Sequence, residues 1–90
     1  MDSDQLGRIF RALADPTRRR IIDWLRKQPG QSMFQICEMS VAEGGNAISR
    51  LATTQHLDRL EKAGLLQVSW SGRTKIHSLD LIPLRRAVNI

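Results

Sequence analysis

Between Ser49 and Arg59 the chain reads SRLATTQHLDR, and most of these side chains carry groups that can read or hold a nucleic acid. The Gln55 amide has the geometry to bridge adenine, and the Arg50 fork suits guanine or a phosphate. Thr54 suits either a base edge or a phosphate, and Leu51 on an outward face could touch a thymine methyl group. Ser49 is a good N-cap, and with the amides of the first turn it can hold a phosphate. Arg59 flanks the same face. His56 lies at the edge of an apolar stripe, so a hydrogen-bonded structural role and a phosphate contact both stay open. Further along, Arg73 and Lys75 stand at the turn of a hairpin, where they would meet phosphate or the minor groove.

Catalytic chemistry is absent from the pattern. There is no Ser/His/Asp set, no glycine-rich phosphate cradle and no metal cluster, so an enzyme is not expected. Asp58 and Glu61 are paired only by helical spacing, and the neighbouring Arg59 and Lys62 make surface ion pairs the better reading. Cys37 is the only cysteine, which rules out an internal disulfide and fits a reducing cytosol. One Cys with His56 and His77 in separate elements falls short of the four ligands of a closed zinc site. No metal or other cofactor is expected.

The elements that must position these residues follow from periodicity and punctuation. Leu6, Ile9, Phe10 and Leu13 recur at i, i+3, i+4 and i+7, an amphipathic helix that Ser3 or Asp4 would cap. Asp15 and Pro16 are the N-cap and first position of a second helix, whose buried stripe is Ile21, Ile22 and Leu25 and which ends at Pro29-Gly30. A shorter third helix begins near Ser32 with Phe34, Ile36, Cys37 and Met39 or Val41 inward, until Gly44-Gly45 breaks it. In the helix over 50–63, Thr53, Leu57, Leu60 and Gly64 share one side, while Leu51, Gln55, Asp58 and Lys62 point the other way. Over 65–79 two alternating segments joined across Ser71-Gly72-Arg73 form a hairpin. A last helix starts near Pro83, with Leu84 and Val88 on one face. Trp24 and Trp70 read as packing residues, with Trp24 also open to a subunit contact, and Cys37 as a small buried hydrophobe. Of the consecutive Arg18, Arg19 and Arg20, which cannot share one helical face, one is expected to pair internally and the others to be solvated.

Together these make a mainly α fold with a small β-hairpin, a winged helix-turn-helix, in one domain over 1–90. A helix that enters the major groove presents its early residues to base edges and packs its later turns on the domain. The helix over 50–63 has that division: polar, short side chains first and an apolar anchor later. Composition agrees. With 41% apolar and 26% charged residues the chain is globular. Of its formal charge of +5, most resides in the second half, which points to a polyanionic partner, nucleic acid first and an anionic membrane surface second. No apolar run approaches the roughly 20 residues that cross a bilayer, and the N-terminus MDSDQLGRIF is no signal peptide. A cytoplasmic protein without membrane contact is expected.

The segments FRALADPTRRRIIDWL, ISRLATTQHLDRLEKAGLL and SGRTKIHSLD also resemble the ArsR-type winged-helix repressors of bacteria, over about residues 5 to 86. The resemblance implies that Ser49 to Leu57 belong to the DNA-reading helix and that the hairpin is a wing. By position, Ser49, Arg50, Thr54, Gln55 and His56 match the recognition motif, and Arg73 with Lys75 match the wing. It further implies that the terminal helices, 3–14 and 83–90, pair two subunits. Neither the paired cysteines of the family's metal sensors in the third helix nor their His and carboxylate ligands in the last are present. The segment VAEGGNA is longer than the usual turn before the recognition helix, as in a branch without metal sites.

The expectation is a sequence-specific transcriptional regulator, a homodimeric repressor that reads an inverted repeat with the helix over 50–63 and the wing over 65–79. Leu6, Ile9, Phe10, Leu13, Leu84 and Val88 would form the subunit contact, because so small a domain does not easily bury them alone. The alternative is a winged-helix module for protein or RNA contact. The residues name neither the operator nor an effector.

Overall fold

The computed structural model describes residues 2–44 and 46–89. Five helices and one hairpin follow in the order α1 (Ser3–Ala14), α2 (Pro16–Lys27), α3 (Met33–Ala42), α4 (Arg50–Lys62), β1 (Leu66–Ser71), β2 (Thr74–Leu79) and α5 (Ile82–Val88). This is a winged helix-turn-helix, with α3 and α4 as the helix pair and the hairpin as the wing.

Four helices begin with a side chain that takes up amides the helix itself leaves unpaired. The Asp2 carboxylate accepts from Gln5 N–H at 2.7 Å, so the cap of α1 lies one residue before the expected Ser3 or Asp4. Asp15 accepts from the amides of Thr17 and Arg18 at 2.8 and 3.1 Å, with Pro16 opening α2. Ser32 and Gln35 form a reciprocal capping box on α3. Ser49 caps α4. Gly64 ends α4 at φ +80, a backbone state that disfavours any side chain, and a Cβ there would also meet Gln5 of α1 at 3.4 Å.

One apolar core joins the elements. Ile9, Ala12, Ile21, Trp24, Leu25, Ile36, Leu57, Leu60, Ala63, Leu65, Leu66 and Ala87 are all buried in it. A fully buried side chain of Leu or Ile size contributes about 1.5 to 3 kcal/mol relative to exposure, so this cluster holds α4 in place. Ile9 is wholly inside the monomer; it anchors α1 to the core and offers no surface to a second subunit, contrary to the sequence expectation. Phe10 and Val88 are exposed, Leu6, Leu13 and Leu84 only partly buried. On α5 the inward residue beside Leu84 is Ala87, not Val88, and the helix starts at Ile82 and ends at Val88. The remainder of the expected 83–90 range includes Ile90, outside the described residues.

On α3 only Ile36 and Ser40 are fully buried. Phe34 and Val41, expected inward, are exposed, because the 3.6-residue period of so apolar a helix fits two faces and α2 and α4 cover only one. Ser40 lies in the core and its hydroxyl donates to Cys37 O at 2.6 Å and accepts from Ile48 N–H at 3.0 Å, which fixes the approach to α4. Cys37 is half-buried, its Sγ 3.3 Å from Thr53 Oγ1.

All three arginines of the RRR run have intramolecular partners, so none is merely solvated. Arg18 donates to the carbonyls of Ala12 and Arg11, both at 2.9 Å, and so ties the last turn of α1 to α2. Arg19 donates to Leu13 O at 2.6 Å. Arg20 pairs with Glu43 at 3.2 Å and lies over the Trp24 ring. Trp24 is buried and its indole N–H donates to the same Glu43. Glu43 thus pins the start of the VAEGGNA segment to α2.

The strands pair antiparallel from Leu66 opposite Leu79 to Ser71 opposite Thr74. That register leaves a two-residue turn, Gly72-Arg73, with Gly72 at φ +60 in its first position, the place where such turns require glycine. Gln31 adds a one-residue bridge on the free edge of β2 through backbone bonds with His77 at 2.8 and 3.0 Å. His77 is buried, and its Nδ1–H donates to Gln31 O at 3.0 Å. Its role is structural. Trp70, expected to pack, is 65% exposed on the wing.

Candidate nucleic-acid interface

The helix α4 divides as its spacing predicts. Thr53, Leu57 and Leu60 are buried, while Arg50, Leu51, Thr54, Gln55, Asp58, Arg59 and Lys62 are exposed. Thr53 reaches burial because its hydroxyl donates to Ser49 O at 2.8 Å, so no polar group is stranded. Ser49 Oγ accepts from Ala52 N–H at 3.1 Å. The amides of Arg50 and Leu51 stay without an intrahelical partner, as first-turn amides do, and point along the axis toward whatever meets this end.

Arg50 is not a free side chain. Its guanidinium sits 4.7 Å from the centre of the Phe34 ring, so the exposed phenylalanine of α3 supports it by a cation–π contact. Phe34 was missed as a site residue, since nothing in its local spacing distinguishes an outward support from a core position. Thr54 donates its hydroxyl to Arg50 O at 2.9 Å and keeps acceptor capacity outward.

His56 is half-buried, with Nδ1 3.2 Å from Arg18 Nη1. Arg18 can only donate, so Nδ1 accepts and the ring proton resides on Nε2. Desolvation pulls the His56 pKa below its ordinary value; Arg18 and Arg59 add to this and Asp15 opposes it. The imidazole therefore works as a joint between α4 and α2, with its Nδ1 side already engaged.

The wing and the helices bound a cleft of about 340 Å³, with Phe34, Thr54, Glu61, Arg73 and Lys75 in its wall. Arg73 is exposed at the turn. Lys75, expected beside it at the tip, instead lies on β2 opposite Trp70 and forms a 2.7 Å ion pair with Glu61 of α4. The pair braces the wing against α4. Asp58 pairs with Lys62 at 2.9 Å, the ordinary i, i+4 surface contact. Among the described residues no three His, Cys, Asp or Glu side chains are placed to hold a metal ion, and no described helix is long and apolar enough to cross a membrane.

No family model matches the chain. It is 31% identical over 77 residues to an uncharacterized HTH-type transcriptional regulator, YuzN, of Bacillus subtilis (strain 168), a match covering 86% of this chain and 84% of the relative. It is also 31% identical over 84 residues to the transcriptional repressor SdpR of the same organism, with 93% of this chain and 86% of the relative covered. Among solved structures it is similar to the crystal structure of an ArsR family transcriptional regulator, with TM-score 0.78 and 25% identity over 99% of this chain and 84% of the other.

Proposed function

Because the chain belongs to the ArsR-type family of winged helix-turn-helix transcriptional regulators, we propose that it is a repressor, acting as a homodimer on double-stranded DNA. The carrying observation is the division of α4: its outward face presents Arg50, Leu51, Thr54 and Gln55 while Thr53, Leu57 and Leu60 anchor it. Gln55 and Arg50 read base edges in the major groove, and Thr54, Ser49 and Arg59 meet the backbone nearby. Arg73 at the wing turn contributes sequence-independent affinity. Phe10 and Val88, exposed on α1 and α5, together with the partly covered Leu6, Leu13 and Leu84, form the subunit contact. A two-fold pair of such units reads an inverted repeat with half-sites about one helical turn, roughly 34 Å, apart.

The likeness to SdpR supports repression, and the protein works in the cytoplasm, where it meets the chromosome, without catalysis, metal or other cofactor. The described residues work as one DNA-binding domain. Selection of bound sequences from a random duplex pool tests the reading. An enriched inverted repeat, lost in the Gln55→Ala variant, is the expected result. Failure to retain any duplex at low salt refutes it and leaves a protein- or RNA-contact module.

A further inference from the structure

Five cationic side chains from three helices surround one small cavity on the flank of α4. Arg8 and Arg11 come from α1, Arg18 from α2, and Arg59 and Lys62 from α4, with Ala12 at the base. Within this cluster Lys62 pairs with Asp58, and Arg18 lies 3.8 Å from Asp15. Among the described residues Arg8, Arg11 and Arg59 form no ion pair. Like charges so gathered repel one another unless an anion sits between them.

The cluster is partly built in advance. The Arg18 side chain is 11% exposed, and its hydrogen bonds to Ala12 O, Arg11 O and His56 Nδ1 use three of its five N–H donors. The Arg11 guanidinium folds back over Gly7, where a Cβ would lie 3.2 Å from its Nη1. A larger residue at that place would have to displace it.

We infer that this cavity is a second anion site, which takes a backbone phosphate of the DNA that α4 reads, and that α1 and α2 add their own cations Arg8, Arg11 and Arg18 to the α4 contact there. The inference rests on the function proposed above. Size favours a phosphate that belongs to a larger partner: the cavity holds about 150 Å³, well below the roughly 300 to 1,000 Å³ of small-molecule pockets. Position favours DNA. Arg59 and Lys62 also border the adjoining depression with Gln55 and Asp58, so the site adjoins the base-reading face through these two side chains. Each guanidinium there can grip a phosphate through two parallel N–H donors, a geometry that lysine lacks.

The test compares two double variants of the full chain in salt-dependent binding to the selected duplex and to a random one. Arg8→Ala/Arg11→Ala removes two charges at the site. Arg26→Ala/Lys27→Ala removes two from the far end of α2, about 13 Å from Arg18 along the helix. Both pairs are exposed, and circular dichroism melts verify folding. The first variant should lower the salt slope by about 0.9 per subunit and weaken both duplexes alike; one decade of salt at that slope is about 8-fold per contact at 0.1 M. Arg8→Lys/Arg11→Lys should restore most of the slope, and the α2 variant should keep it whole. The inference is overturned if the first variant keeps the wild-type slope, or if both charge-removing variants lose it equally. It is also overturned if inorganic phosphate raises the melting temperature of the wild type but not of the α1 variant while DNA affinity is unchanged, since the site then serves a free anion. A wild type that binds no duplex defeats the repressor reading first, which separates the two failures.

Discussion

The ion pair between Lys75 and Glu61 sets a competition that Glu61→Gln would expose. At 2.7 Å, with both side chains 40% exposed, it is a solvent-screened bridge, and such pairs contribute about 0.2 to 1 kcal/mol. A phosphate approaching the wing must draw Lys75 away from Glu61 and forfeits that amount. With glutamine at this place the lysine is free beforehand, and a repelling carboxylate is gone from the cleft wall. At 1.36 kcal/mol per tenfold, the gain is about 1.4- to 5-fold per subunit, or about 2- to 30-fold for a dimer. The salt slope should rise by about 0.9 per subunit if Lys75 then reaches a phosphate. The same substitution should lower the melting temperature by about 1 to 8 °C, because the brace on the wing is lost. Fluorescence anisotropy of a labelled duplex at several salt concentrations measures the first two quantities, and a thermal melt the third. Weaker DNA binding by Glu61→Gln would refute the reasoning. It would show that the bridge prepares the wing rather than occupying its lysine.

Other expectations concern single residues. Gln55→Ala should weaken the selected duplex by about 1 to 3 kcal/mol and leave random DNA nearly unchanged, whereas Arg73→Ala should weaken both; competition binding separates the two. Ile9→Ala should cost about 2 to 5 kcal/mol of stability in a denaturant titration, while Phe10→Ala should spare the fold and shift sedimentation toward the monomer. Burial depresses the pKa of both His56 and His77, so the unfolded chain binds protons that the folded one refuses. Stability is then full above about pH 6.5 and falls as the pH drops below it toward the depressed values. Melts from pH 7.5 to 5 with and without His77→Gln check this sign, and a flat profile in the parent protein contradicts it.

Much of the frame was legible because its signals are local. The 3.6-residue stripe on α4, the Asp15-Pro16 start, and alternation on either side of Gly72 each depend on residues within a turn or a strand of one another. What was missed depends on partners distant in the chain. Arg18 looks like a surface charge until the carbonyls of α1 and the ring of His56 are brought to it. Lys75 reads as a wing-tip cation until Glu61 lies across from it. Phe34 and Ile36 differ little in local context, and only the placement of α2 and α4 decides which is covered. The expected subunit residues mixed two populations for the same reason: one apolar stripe on α1 serves the core through Ile9 and reaches solvent through Phe10. Arg8 and Arg11 drew no notice, since their meaning lies in the company of Arg59 and Lys62 on another helix.

The two tryptophans occupy opposite optical environments. Trp24 is buried, bonded to a carboxylate and shielded by a guanidinium; Trp70 projects into water from β1 of the wing. An aqueous quencher such as iodide therefore reaches one indole and not the other, and the emission of the unlabelled protein divides into a wing component and an interior component. Phe substitution at either position isolates the remaining signal. The wing's encounter with a duplex and the integrity of the helical body then become separate readings from a single cuvette, with no dye attached to either partner.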